Sequence, residues 1–181
     1  MKLYNSLILI AFAIFSISIT AEVNHSKVIS QDAALKLSDY GFFTNLSKQI
    51  PTNGVLPYDL NSALFSDYAD KLRFVYVPAG GFAEYHPDEV FDFPTGSVLI
   101  KTFAYLNDFP ESELDAQLLE TRLLIRNDDG WKNVSYIWNK EQTDAYKSIA
   151  GKTISTQFIN EYGDMQDIRY RVPNINQCKE C

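Results

Sequence analysis

From Lys71 onward, short runs of the chain alternate their side chains with a period of two, the spacing of a strand with one buried face. From Lys71 to Val77, the residues Leu72, Phe74 and Tyr76 oppose Arg73, Val75 and Val77. Ser97 to Tyr105 is the next such run, entered from the turn Phe93-Pro94-Thr95-Gly96. Glu120 to Arg126 and Trp131 to Trp138 flank Asn127-Asp128-Asp129-Gly130, which predicts a β-hairpin with a short loop. Val134, Tyr136 and Trp138 share one face of its second strand and are expected in the core. Lys152 to Phe158 and Asp167 to Val172 are the last predicted strands.

Helical signals are short. Ser30 is an expected N-cap, with Ala33, Ala34, Leu37 and Tyr40 on one face and Gly41 as the stop. Asn61 to Tyr68 predicts one or two helical turns with Leu64 and Phe65 inward, and Lys140 to Ile149 a brief helix closed by Gly151. Long helices do not alternate with the strands, which argues against a parallel sheet. The expected fold is mainly β, an antiparallel β-sandwich or partly closed barrel with a few short helices.

The N-terminus departs from this pattern. Lys2 precedes an uncharged run from Leu7 to Ile19, and small residues end it in Ser18-Ile19-Thr20-Ala21. This is the layout of a secretory signal peptide over residues 1–21, cut after Ala21 or after Thr20. The run is shorter than the roughly 20 residues of a membrane span. An uncleaved N-terminal anchor is the alternative. Either way the rest of the chain is expected outside the cytoplasm, in the periplasm or the extracellular space, with no membrane span once the signal is removed. About 160 residues then remain, enough for one β-rich domain over 22–172. The net charge of -7 argues against nucleic acid as a partner.

Both cysteines of the chain stand in its last four residues, Cys178-Lys179-Glu180-Cys181. A disulfide-stapled scaffold spreads its cysteines through the chain, so the fold is expected to rest on its apolar core and the pair to act locally. Cys-x-x-Cys serves three chemistries. Two thioethers hold a c-type haem, and a following His supplies an axial nitrogen. A dithiol cycles with a disulfide. Structural zinc needs a second pair of ligands. Zinc fails on count, because the two histidines, His25 and His86, lie far from the pair and from each other. The redox motif is expected within a βαβ pattern that is missing around Pro173. Haem, an incidental disulfide and free thiols remain open on spacing alone.

Other residues carry weaker signals. His86, in a polar loop, and Met165, beside a turn, are candidate iron ligands, with a solvated loop as the simpler reading of each. Glu111, Glu113, Asp115 and Glu120 suggest acid/base or calcium chemistry, against a solvated connection. Nothing identifies a nucleophile, so an electron carrier or redox-associated protein is expected before a stand-alone enzyme.

Several segments occur in a telling order: Leu37-Ser38-Asp39-Tyr40-Gly41-Phe42-Phe43, the run from Val55 to Ala69, Val98 to Phe103, Glu120 to Ile125, Trp138 to Thr143, and Val172-Pro173-Asn174-Ile175-Asn176-Gln177-Cys178. In this the chain resembles an uncharacterised family of exported bacterial proteins, with a β-rich N-terminal part followed by c-type haem motifs. The resemblance spans nearly the whole mature chain. It implies that residues 173–181 begin a haem-binding region, cut inside the first Cys-x-x-Cys-His motif. Cys178 and Cys181 are then haem c attachment residues, the axial His lies beyond this sequence, and a redox protein is the partner. The polar residues Asn61, Ser62, Ser66, Asp67 and Asp70 are candidates for a surface facing that region. The competing reading is a secreted β-sandwich binding module with a structural or redox-active Cys pair, and with Tyr58, Phe65, Tyr68, Phe74 and Tyr85 contributing a ligand platform.

Overall fold

The computed structural model describes residues 22–62, 64–106, 116–160 and 162–179, with backbone alone for 106, 178 and 179. Ten strands and two short helices follow in order: α1 (His25–Val28), β1 (Phe43–Asn45), β2 (Ile50–Pro51), β3 (Val55–Pro57), β4 (Asp70–Tyr76), β5 (Val98–Leu106), β6 (Ala116–Asn127), β7 (Gly130–Trp138), β8 (Ala145–Ser148), β9 (Lys152–Ile159), β10 (Met165–Val172) and α2 (Ile175–Lys179). The expectation of a mainly β, antiparallel fold holds. Strands β3 to β8 form one six-stranded sheet in chain order, and β9–β10 is a separate hairpin. The sheet stays open, so the arrangement is sandwich-like and not a closed barrel.

Period-two alternation divides the sheet into two faces. Val98, Ile100, Leu123, Ile125, Val134, Tyr136 and Trp138 point to one side, where Val28, Leu37, Tyr40 and Phe42 of the N-terminal segment cover them. The placement of Val134, Tyr136 and Trp138 in the core is as the alternation predicts. A directed hydrogen-bond chain crosses this core. Trp138 Nε1 donates to Thr121 Oγ1 at 3.0 Å, the Thr121 and Thr102 hydroxyls are 2.8 Å apart, and Thr102 Oγ1 donates to Gln49 Oε1 at 2.7 Å. The Trp138 indole N–H and the Thr121 and Thr102 hydroxyls thereby gain partners, as burial requires.

The opposite face is half covered by the β9–β10 hairpin, whose Tyr170 and Val172 pack on Phe103, Tyr105 and Leu119. A β-bulge shapes this contact. Phe103 pairs with Glu120, but the next residue, Ala104, pairs with Leu118, leaving Leu119 as the extra residue. The bulge brings Leu119 and Glu120 to the same side of the sheet.

Three local expectations fail. The helix from Ser30 to Tyr40 is replaced by α1, an irregular stretch, and a 3-10 turn at Leu37–Tyr40. Ala34, Leu37 and Tyr40 are nevertheless buried. The stretch between runs extended along the sheet edge, where Lys36 bridges Tyr146 and Lys147 N donates to Leu35 O at 2.9 Å. Covering an exposed edge outweighed helix propensity. For the same reason residues 145–148, expected to be helical, form β8 against β7. Among the described residues from Asn61 to Tyr68 no helix forms, and Asp67 and Tyr68 hold positive φ angles of 45° and 59°, which would end one. Leu64 and Phe65 are exposed there, at 75% and 72%, and do not point inward.

Candidate functional site

The chain enters the Cys-x-x-Cys region through a built corner. Gly151, at φ +71°, lets the backbone of Val172 and Asn174 pass so close that a Cβ at this position would stand 2.7 Å from Val172 O and 2.8 Å from Asn174 N. Ile175 N then donates to Ile149 O at 3.1 Å. Asn174 and Gln177 form a reciprocal cap. Asn174 Oδ1 accepts from Gln177 N at 3.0 Å and from Asn176 N at 3.0 Å, while Asn174 N donates to Gln177 Oε1 at 3.1 Å. This is capping-box logic with Asn in the N-cap role. It starts α2, on whose backbone Cys178 lies. Cys181 lies outside the described residues.

Replacing Asn174 by Ala is expected to cost α2 about 1 kcal/mol. With so short a terminal helix the effect is local: amide exchange at Asn176 and Gln177 should accelerate while the global unfolding midpoint stays put. Unchanged exchange at both amides would contradict the cap.

Gln177 also lines a groove of about 790 Å³ on the half of the outer face that the hairpin leaves open. Leu99, Phe103 and Leu124 contribute apolar floor, and Tyr58 and Phe65 line it from the 58–67 loop. Arg73, Lys101 and Arg122 stand in line across β4, β5 and β6, each directly opposite the next in register. Behind Arg122 lies Glu120, fully buried. Its carboxylate accepts from Arg122 Nε at 3.1 Å and Nη2 at 2.5 Å, and from the Tyr170 hydroxyl at 2.6 Å. Burial, reinforced by that carboxylate, pushes the Tyr170 phenol far above its ordinary range. The Tyr105 hydroxyl donates to Asp67 O at 2.8 Å. Burial, and secondarily the Asp67 charge, push the Tyr105 phenol up to about 12.

The remaining sequence candidates do not assemble. His86 is exposed, its Nδ1 only 3.3 Å from Asp88 N, and Met165 is exposed at the start of β10. His25 Nδ1 lies 3.3 Å from the Tyr76 hydroxyl on the far side of the sheet. Among the described residues no group of three His, Cys, Asp or Glu is placed to hold a metal ion. Glu111, Glu113 and Asp115 lie outside the described residues. Glu120, expected at the end of a solvated connection, is instead the buried anchor described above. Of the five platform aromatics, Tyr58 and Phe65 reach the groove, and Tyr68 stacks on Phe158 at 5.2 Å beside it. Phe74 belongs to the opposite core and Tyr85 packs on Phe91 in a separate loop. Ser66 and Asp67 line the groove, whereas Asn61, Ser62 and Asp70 do not. The cationic row was missed because its members are far apart in sequence, on three different strands, and only register unites them.

Comparison with models of protein families, with curated proteins and with solved structures finds no match. Among the described residues no helix is long and apolar enough to cross a membrane.

Proposed function

We propose that the gene product carrying this chain is an exported c-type haem protein that transfers electrons to or from a redox partner protein, with haem c bound covalently through Cys178 and Cys181. The observation that carries this reading is the Cys-x-x-Cys pair itself, the two cysteines of a sequence whose first 21 residues have the layout of an export signal. The family resemblance running through Asn176-Gln177-Cys178 supports it. So does the local structure: the Asn174–Gln177 cap starts a short helix on whose backbone Cys178 lies. The two-residue spacer of Cys-x-x-Cys suits attachment to one porphyrin edge. When bound, the haem supplies a one-electron centre. The chain's own contribution is to hold the attachment helix against Ile149, with the groove that Gln177 lines at its side, and burial of a haem edge tunes its potential.

The test is expression of the complete gene with c-type maturation. Covalent haem stain and a reducible haem spectrum are expected, and Cys178→Ala and Cys181→Ala should each diminish them. Haem that stays covalently bound at this motif in the double variant would overturn the assignment. The groove favours a second reading, a secreted binding module with a structural or redox-active Cys pair, since Tyr58 and Phe65 line a cavity of ligand size.

A further inference from the structure

The row Arg73–Lys101–Arg122 is a cost the sheet carries. Arg73 pairs with Lys101 across β4–β5, and Lys101 with Arg122 across β5–β6, so like charges face each other twice. Directly opposed like charges destabilise a sheet. Adjacent strands lie roughly 4.8 Å apart, which places the outer two residues roughly 10 Å apart at the backbone. Compensation is partial. Glu120 serves Arg122. Arg73 Nη1 meets Asp59 at 3.1 Å, but the Asp59 side chain is 90% exposed, so solvent screens that pair. Lys101, in the middle, has neither a hydrogen bond nor an ion pair among the described residues. Its ammonium rests over the Phe103 ring at 5.0 Å. Burial, then Arg122, Arg73 and Lys71, lower its pKa, the response of an ammonium in an electropositive setting.

This charge runs against the rest of the molecule. In a chain of net charge -7, Arg73, Lys101, Arg122 and Arg171 line the groove against a single carboxylate among the described lining residues, Asp67. The cavity falls within the range of small-molecule sites, roughly 300–1,000 Å³. Its floor is apolar, and its cations are two arginines with an ammonium between them. Glu120 holds the Arg122 Nε–Nη2 edge, and Asp59 and Lys71 O hold Arg73 Nη1, so Lys101 is the direct partner for an oxyanion and the arginines add their charge.

We infer that this groove binds an organic carboxylate with an apolar or aromatic body, its oxyanion held at Lys101 between Arg73 and Arg122 and its body on Leu99 and Leu124. An inorganic oxyanion uses only half of such a site. The inference rests on the groove and not on the cysteine pair, so it stands or falls separately from the haem reading.

The experiment is a fluorescence titration of the chain, produced without haem maturation, with 2-naphthoate, its neutral analogue 2-naphthamide, and inorganic phosphate as competitor. Naphthoate should bind, more weakly as salt is raised. The amide should bind at least about tenfold more weakly, a difference of about 1.4 kcal/mol. Lys101→Met should weaken naphthoate by about tenfold or more while raising the melting temperature, because it removes the like-charge contacts. A merely structural lysine would not move the two readouts in opposite directions. Lys101→Gln, which keeps a polar side chain, provides the same binding test should Met alter packing. Naphthoate and amide binding equally, phosphate competing as tightly as naphthoate binds, unchanged affinity in both Lys101 variants, or no binding up to about 10 mM naphthoate would each overturn the proposal.

Discussion

Trp138→Ala is expected to destabilise the domain by about 3–5 kcal/mol, the range for removing a large aromatic from a packed core. Trp138 is buried at the end of β7, against the residues that join the six-stranded sheet to the N-terminal segment. Its loss opens a cavity and also ends the Trp138–Thr121–Thr102–Gln49 hydrogen-bond chain at its donor. A domain of this size loses roughly 2–4 °C of melting temperature per kcal/mol, so a fall of about 6–20 °C is expected. Trp138→Phe separates the two contributions, since it keeps most of the ring volume and removes only the N–H. It should cost about 1–2 kcal/mol, the worth of a buried hydrogen bond plus a small packing loss. Urea unfolding at constant slope measures both. A loss under about 1 kcal/mol for Trp138→Ala would show that the core does not depend on this residue.

Glu120→Ala should cost about 3 kcal/mol by a different route. Removing one partner of a buried charge pair leaves the other uncompensated, typically at a cost of about 3–5 kcal/mol. Here the Arg122 side chain is 26% exposed and reaches water along one edge, which puts the expected value at the low end. The Tyr170 hydroxyl loses its acceptor at the same time, and with it one hydrogen bond between the hairpin and the sheet. Replacing the group together, as Glu120→Leu with Arg122→Met and Tyr170→Phe, should recover most of the loss, because no buried polar atom is then left without a partner. Chemical denaturation of the single and triple variants checks this. A triple variant no more stable than Glu120→Ala would mean that Glu120 acts through something other than these two groups.

The two variants also mark what was legible in the sequence. Trp138 was, because Val134, Tyr136 and Trp138 alternate cleanly and the hairpin turn at Asn127–Gly130 sets their phase. Glu120 was not. Its burial depends on the bulge at Leu119, which breaks the period of two and brings successive residues to one face, and no propensity announces where a bulge falls. The helix expected from Ser30 failed for a related reason. Its apolar positions were read correctly as buried, but the edge of β8 offered hydrogen bonds that extended backbone could make and helix could not. At the candidate site, Cys178 and Cys181 were visible at once from spacing. The Asn174–Gln177 cap before them was present in the sequence as an Asn three residues ahead of a Gln, yet its meaning depended on Gly151 allowing the chain to turn there. The Arg73–Lys101–Arg122 row depends wholly on register, which alternation alone leaves undetermined between strands.

These features give the proposed attachment helix a fixed base and place a cationic groove at its side. The central claim concerns the two sulfurs. Its most direct test is the intact mass of the exported, complete gene product after acid–acetone extraction, which strips haem that is not covalently bound. The account predicts a mass that retains haem, with one haem fewer in the Cys178→Ala, Cys181→Ala double variant. A protein that emerges at the mass of the bare polypeptide, with both thiols open to alkylation, would contradict it.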